Sequence, residues 1–211
     1  MPSAARRIAI LGLFNSGSTV LAGMLHRLGV NLAPPFFHNP QNLDENYFES
    51  RQLAHQLRQW WAEPLGVERV SAAFRSGFLK SWATLQERSN PAPLAVKHPL
   101  LAFSAADLVS AWGNNTCFIR AMRPLDESID GLRRRAWFPG HEVQLQKKLW
   151  NTLADFERSH RVATFDWNSV KSNPLLTARD LAMTVGLSPT EDQLNAAAAV
   201  FRPPAAQPLA A

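Results

Sequence analysis

Residues 7–29 read RIAILGLFNSGSTVLAGMLHRLG, and the fold turns on how this stretch is understood. Arg7 to Leu13 is a short apolar run rich in Ile and Leu and ended by turn residues, the pattern of a strand buried in a parallel sheet. Phe14 to Thr19 is a loop of small and polar residues. Beyond it, Val20, Leu21, Met24, Leu25 and Leu28 recur at helical spacing, and Gly29 stands where a helix would stop. The unit is strand, small-residue loop, helix.

Gly12 to Thr19 (GLFNSGST) matches the phosphate-loop pattern GxxxxGK[ST] at every fixed position but one, with Ser18 in place of the Lys. Glycines let a backbone wrap an oxyanion, and amides at a helix start aim at it with the dipole behind them. The group lost is the cation that meets the β- and γ-phosphates of a nucleoside triphosphate. The same spelling also serves an ordinary strand-to-helix turn, but with strand and helix both legible an anion site is the expectation.

Working outward, Asn31 to Asn46 is rich in Pro and Asn and reads as a long irregular loop. Helices are predicted over about Arg51–Trp61, Ser71–Arg88, Ala105–Trp112, Leu125–Trp137 and Glu142–His160, with strands at Pro93–Lys97, Thr116–Ile119 and Val162–Phe165. Asn173-Pro174 caps a further helix that Gly186 closes, and Ser188-Pro189-Thr190-Glu191 spells another start, with the Glu three residues past the capping Ser. Strands alternating with helices give an α/β fold, a central parallel β-sheet flanked by helices. No repeat or linker divides residues 1–211, so one domain is expected, with Pro203–Ala211 a frayed tail.

Composition narrows the class. Of 211 residues, 46% are hydrophobic and 18% charged, too apolar a mixture for disorder. No run approaches the roughly 18 apolar residues of a membrane span, and Met1 to Arg7 leads into a strand rather than a secretory leader. The one cysteine, Cys117, sits in an apolar strand and has no internal partner, so a reducing cytoplasm and an inert thiol are expected. Arg supplies 17 of the 22 basic residues behind the net charge of +5. Guanidinium forks suit phosphate and sulfate, although genomic base composition produces the same bias. Nucleic acid is not an expected partner, because Arg133-Arg134-Arg135 and Lys147-Lys148 are the only basic runs and no basic/aromatic interleaving repeats. The six His show no ligand spacing, so no metal is expected.

Two further constellations carry chemistry. In TCFIRAMRPLDESIDGLRRR, residues 116–135, an apolar strand ends at Arg120, a Pro-containing turn carries Arg123, and Ser128 follows eight residues after Arg120. Ligands gather at the carboxyl ends of parallel strands, where such an Arg and Ser could reach one phosphate; the competing reading is a surface Arg paired with Asp126 or Glu127. Lys97-His98-Pro99 follows another strand, where Lys suits charge stabilisation and His proton transfer, unless the imidazole is simply structural. Glu49 is a rival general base, or a solvated Glu at a helix start. The seven Trp read mostly as core or pocket lining, and Phe36-Phe37 as a cover for an apolar acceptor or a pin for their loop.

Together these segments resemble the sulfotransferases that use 3′-phosphoadenosine 5′-phosphosulfate (PAPS). The family's PKSGTT loop is similar to Phe14-Asn15-Ser16-Gly17-Ser18-Thr19, and its strand-terminal Arg with a Ser eight residues later to Arg120 and Ser128. Lys97-His98-Pro99 is similar to the KTHLP segment, one residue shorter, and Asn46-Tyr47-Phe48-Glu49 to a segment of bacterial members. FDWNSVKSNPLLTARDLAMTVGL, residues 165–187, resembles the family's YEDL…DP…FLGL stretch, so the likeness runs from about Arg7 to Phe201. Asn15 stands where the family has Lys or Arg, and of its C-terminal cofactor segment only Arg202 remains.

The resemblance implies a P-loop NTPase-like architecture and transfer of a sulfuryl group from PAPS to a hydroxyl or amine of a small-molecule or glycan acceptor, without a metal. Residues Asn15, Ser16, Gly17, Ser18 and Thr19 would then hold the 5′-phosphosulfate, and Arg120, Arg123 and Ser128 the 3′-phosphate. Lys97 would replace the missing loop cation, with His98 the first choice of base and Glu49 the second. Asn15 also motivates a non-catalytic binder of nucleotide or sulfated ligand. A P-loop kinase or nucleoside triphosphatase is the third reading, opposed by the absent loop Lys and the lack of a strand ending in Asp to hold magnesium.

Overall fold

Ile8 and Ile10 turn to one face of the first strand and Ala9 and Leu11 to the other, and all four are closed to solvent. A strand apolar on both faces needs cover on both, which a parallel sheet with helices above and below supplies. The computed structural model describes residues 7–39, 42–62, 66–113 and 115–201. Along the first half run β1 (Arg7–Gly12), α1 (Ser18–Arg27), β2 (Phe36–Asn39), β3 (Asn42–Ser50), α2 (Arg51–Trp60), β4 (Trp61–Ala62), β5 (Val67–Glu68) and α3 (Ala72–Ser89). There follow β6 (Leu94–Lys97), a 3-10 turn (Pro99–Ala102), α4 (Ala105–Trp112), β7 (Thr116–Met122), α5 (Leu125–Arg134) and α6 (Glu142–Glu157). The described chain closes with β8 (Val162–Asp166), α7 (Trp167–Ser172), α8 (Pro174–Val185) and α9 (Glu191–Ala198).

The central sheet has the order β6-β1-β7-β8, and every neighbouring pair in it is parallel. Ile8 and Ile10 pack with Leu21, Met24 and Leu25 of α1 and with Leu181 and Leu194 from α8 and α9. Ala9 and Leu11 join the larger core on the other face, with Leu57, Leu79, Leu108, Leu132 and Leu149 from α2 to α6. This is the expected α/β architecture, and it puts the carboxyl ends of β1, β6, β7 and β8 along one edge, where loops build a site. No helix among the described residues is long and apolar enough to cross a membrane.

Several elements differ from the sequence expectations. The predicted loop Asn31–Asn46 instead holds β2 and the first half of β3, an antiparallel hairpin that runs on to Ser50. Its aromatics anchor it: Phe36, Phe48 and His26 of α1 form a triangle of rings 5.6–5.8 Å apart. β7 continues to Met122, because β8 pairs with it as far as Met122–Asp166. Arg120 therefore lies within the strand rather than at its end. The last helix starts two residues later than its Ser188 signal suggests, since Thr190 and Gln193 form both hydrogen bonds of a capping box. Asn173 caps α8 as expected, accepting from the Leu176 amide at 3.0 Å, and Gly186 ends that helix with φ 73°. Arg202 and the tail Pro203–Ala211 lie outside the described residues.

Candidate active site

The loop after β1 turns sharply before α1. The Ser16 amide donates to the Leu13 carbonyl at 3.3 Å, Asn15 adopts φ 61° and Gly17 φ 90°. Gly17 tolerates that conformation because it has no Cβ, and one added there would strike the Trp167 ring. The first amides of α1, at Ser18 and Thr19, have no carbonyl in their own helix to meet, so the loop presents N–H groups at a positive helix end. Asn15 turns its side chain against Gly131 of α5, so closely that a Cβ at that glycine would collide with it.

At the neighbouring strand end, β6 delivers Lys97 and His98. The Lys97 ammonium donates to Thr19 Oγ1 at 3.0 Å and to Glu49 Oε1 at 2.6 Å, which ties the loop, β6 and the hairpin together. Lys97, His98 and Glu49 are all buried. Glu49 reaches this position through an irregularity in β3: the register slips, Asn46 Oδ1 accepts from the Phe48 amide at 2.7 Å, and Phe48 takes φ 52°. Such a bulge re-aims the side chains that follow it. Burial alone would raise the Glu49 carboxyl, but the Lys97 ammonium, by its charge and its hydrogen bond and with help from Arg58, outweighs it and holds it below the usual carboxylate range.

His98 is neutral in this setting. Burial pulls its imidazole down to about 4, with Lys97 and Arg58 acting in the same direction and Glu49 opposing them. Its Nδ1 accepts the Leu100 amide at 3.1 Å, so the ring proton sits on Nε2, 3.7 Å from Glu49 Oε2. The imidazole lone pair is thus already engaged by backbone, and the free basic oxygen of the trio belongs to Glu49.

Glu49 also lines a cleft of about 470 Å³, whose walls are mainly the rings of Phe14, Phe37, Tyr47, Trp137 and Phe138. Phe14 comes from the loop itself, so the cleft opens beside the helix start.

Arg120, Arg123 and Ser128 are also buried or half-buried. The Arg120 guanidinium turns onto α6, where it lies 4.6 Å over the Trp150 ring and pairs with Glu157. Arg123 lies 4.3 Å over the Trp167 ring, the same indole that underlies Gly17. Ser128 is closed to solvent, and Gln146 of α6 donates to its carbonyl at 3.1 Å and to that of Phe14 at 2.8 Å. Arg120 and Ser128 therefore both face α6, eleven residues apart along it at Glu157 and Gln146.

Buried polar atoms are normally paired, so exceptions mark unusual sites. Seven side-chain atoms lack a hydrogen-bond partner among the described residues: Ser16 Oγ, Arg120 Nη2, Arg123 Nε, Ser128 Oγ, Gln146 Oε1, Glu157 Oε1 and Trp60 Nε1; of these, Arg123 Nε stands 3.8 Å from the Glu127 carboxylate, the pairing that the competing reading of this Arg foresaw. The first four belong to residues chosen from the sequence for an anionic cofactor, and Gln146 and Glu157 touch two of them. The hydroxyls of Ser16 and Ser128 and the guanidinium nitrogens of Arg120 and Arg123 are donors that fit an anion, whereas Gln146 Oε1 and Glu157 Oε1 are acceptors. Among the described residues no group of three or more His, Cys, Asp or Glu gathers as metal ligands would.

Three solved structures share the fold of this chain. The chain superposes on the sulfotransferase STF1 from Mycobacterium tuberculosis H37Rv with a TM-score of 0.52 and 13% identity, over 92% of this chain and 71% of that one. The sulfotransferase domain of the Synechococcus PCC 7002 olefin synthase gives 0.58 and 17%, over 90% and 76%. The sulfotransferase domain from the curacin biosynthetic pathway gives 0.50 and 16%, over 92% and 77%. The chain has the sulfotransferase fold. No family model matches it, and neither does any curated protein.

Within this sulfotransferase fold, four residues at the site were not picked out by motif. Gln146 had a legible signal, a polar residue on the buried stripe of Leu145, Leu149, Leu153 and Phe156. Trp150, Glu157 and Trp167 had none, since aromatics usually read as core and a Glu at a helix end as solvated.

Proposed function

We propose that this protein is a sulfotransferase that moves a sulfuryl group from PAPS to a hydroxyl or amine acceptor. The observation that carries this reading is that Ser16, Arg120, Arg123 and Ser128 each keep a buried side-chain polar atom without a hydrogen-bond partner. When bound, PAPS supplies an activated sulfuryl group and leaves as adenosine 3′,5′-bisphosphate.

The chain's own residues divide the remaining work. Amides of residues 16–19 at the start of α1 hold the 5′ end, and Arg120, Arg123 and Ser128 take the 3′-phosphate. Lys97, already at Thr19, neutralises charge that develops at the loop and supplies the cation that Asn15 does not. Glu49 takes the acceptor proton: its carboxylate is ionised across the neutral range and faces the aromatic cleft. His98 stands beside that carboxylate, with Nε2–H facing Oε2 at 3.7 Å, and its own lone pair is held by backbone, so the order of the two candidate bases is exchanged. The ring-lined walls suit an apolar or planar acceptor, which desolvates readily beside a buried charge.

Incubation with PAPS and a panel of phenols, alkyl alcohols, amines and glycans tests the proposal, and transfer to an apolar hydroxyl or amine is expected. No thermal shift with millimolar bisphosphate and no transfer would refute it. The turn of Asn15 toward Gly131 favours one second reading, a nucleotide binder without turnover. Tight bisphosphate binding with no transfer to any acceptor would select that one.

A further inference from the structure

Glu157 is the last residue of α6, and its carboxylate pairs with Arg120 through one oxygen while the other is buried without a partner. The surroundings are asymmetric: the Arg120 side chain is 7% exposed, that of Glu157 26%. A carboxylate in a helix's last turn meets the negative end of the dipole, so Glu157 gains nothing from its own helix there. Arg120 is held from below by the Trp150 ring, and its Nη2 has no partner. The guanidinium is thus fixed, half-used, and occupied by the one group of the pair with access to solvent.

We infer that Glu157 is an internal, displaceable occupant of the 3′-phosphate position, resting on the reading above that Arg120 meets that phosphate. A phosphate dianion and a carboxylate oxygen cannot share one guanidinium end without repulsion, so the ligand drives Glu157 outward. Ligand-free, the carboxylate keeps Arg120 from being a buried unpaired charge. Substrate and product carry the same 3′-phosphate, so the internal competitor weakens both. Its benefit lies in release of the bisphosphate, a step that limits many transferases.

Calorimetric titration of wild type, E157Q and E157A with adenosine 3′,5′-bisphosphate and with adenosine 5′-monophosphate tests this. Glutamine keeps the shape and removes the charge, and unchanged circular dichroism would show that both variants are folded. Expected is about tenfold tighter bisphosphate binding in both variants, monophosphate affinity within twofold of wild type, and slower bisphosphate dissociation in stopped flow. Bisphosphate affinity that is unchanged or weaker in both variants would overturn the role of Glu157 and leave the Arg120 assignment standing. Bisphosphate binding no tighter than monophosphate in wild type and in both variants would overturn the Arg120 assignment and the inference with it.

Discussion

Lys97 and Glu49 form a buried ion pair at 2.6 Å, with side chains only 4% and 11% exposed, and the same ammonium reaches Thr19 on the phosphate-loop-like turn. Neither partner tolerates loss of the other, because a single buried charge has no compensation. K97M is expected to destabilise the fold by about 3–5 kcal/mol, and E49L/K97M to recover most of that loss. Urea denaturation of the two singles and the double measures the coupling; additive losses would show that the pair is not interacting.

The division of labour between Glu49 and His98 is open to kinetics. E49Q should lower kcat by about 10²–10⁴-fold with little change in bisphosphate affinity, the range for a lost general base. H98N, which keeps an acceptor near the Leu100 amide, should cost much less. A larger loss in H98N than in E49Q would return the base to the imidazole.

His98 also sets an acid limb of stability. Its imidazole titrates near 6.5 when unfolded and about 4 when folded, so between those values the unfolded chain binds the extra proton. The contribution is present in full above pH 6.5 and lost as pH falls through 4. It amounts to about 3 kcal/mol at 1.36 kcal/mol per pKa unit. Glu49, also lowered, adds a loss of the same sign below its ordinary range. Urea midpoints measured from pH 7 to 4 should fall steeply in wild type and more gently in H98N.

Gly131 and Asn15 make a third coupled pair. G131A brings a methyl into the Asn15 side chain and should cost about 1–3 kcal/mol. N15G keeps the left-handed backbone and removes the obstacle, so G131A should be nearly neutral on that background. A double-mutant cycle by thermal denaturation reads the difference, and additivity would show that the contact is not a constraint.

Much of this architecture was legible because period and punctuation agreed. Ile8 to Leu11 announced a strand buried on both faces, and Asn173-Pro174 with Gly186 bounded α8. The loop after β1 and the Lys97-His98 pair fell at one end of the sheet because each closes a strand, whereas Arg120 lies inside β7 and Glu49 in the separate hairpin. The β2–β3 hairpin was hidden by a run of Asn and Pro that reads as loop, and its anchor rings lie far apart in sequence. The engagement of Nδ1 on His98 and the pairing of Arg120 with Glu157 were invisible for a different reason. Both depend on tertiary placement of atoms, and no local spacing encodes which nitrogen or oxygen is already taken.

The central position of β1 has a consequence for synthesis. Its residue Arg7 pairs with Leu94 on one side and Thr116 on the other, 87 and 109 positions further along. A nascent chain extending from the ribosome therefore carries Ile8, Ile10 and Leu11 without a sheet to enter until β6 and β7 have emerged. Helix α1 can form from local contacts in that interval, but the turn before it has no framework to fix its shape. The shape of that turn is thus fixed late in the life of the polypeptide, and a chain stalled before Met122 offers a chaperone an apolar segment in place of a finished sheet.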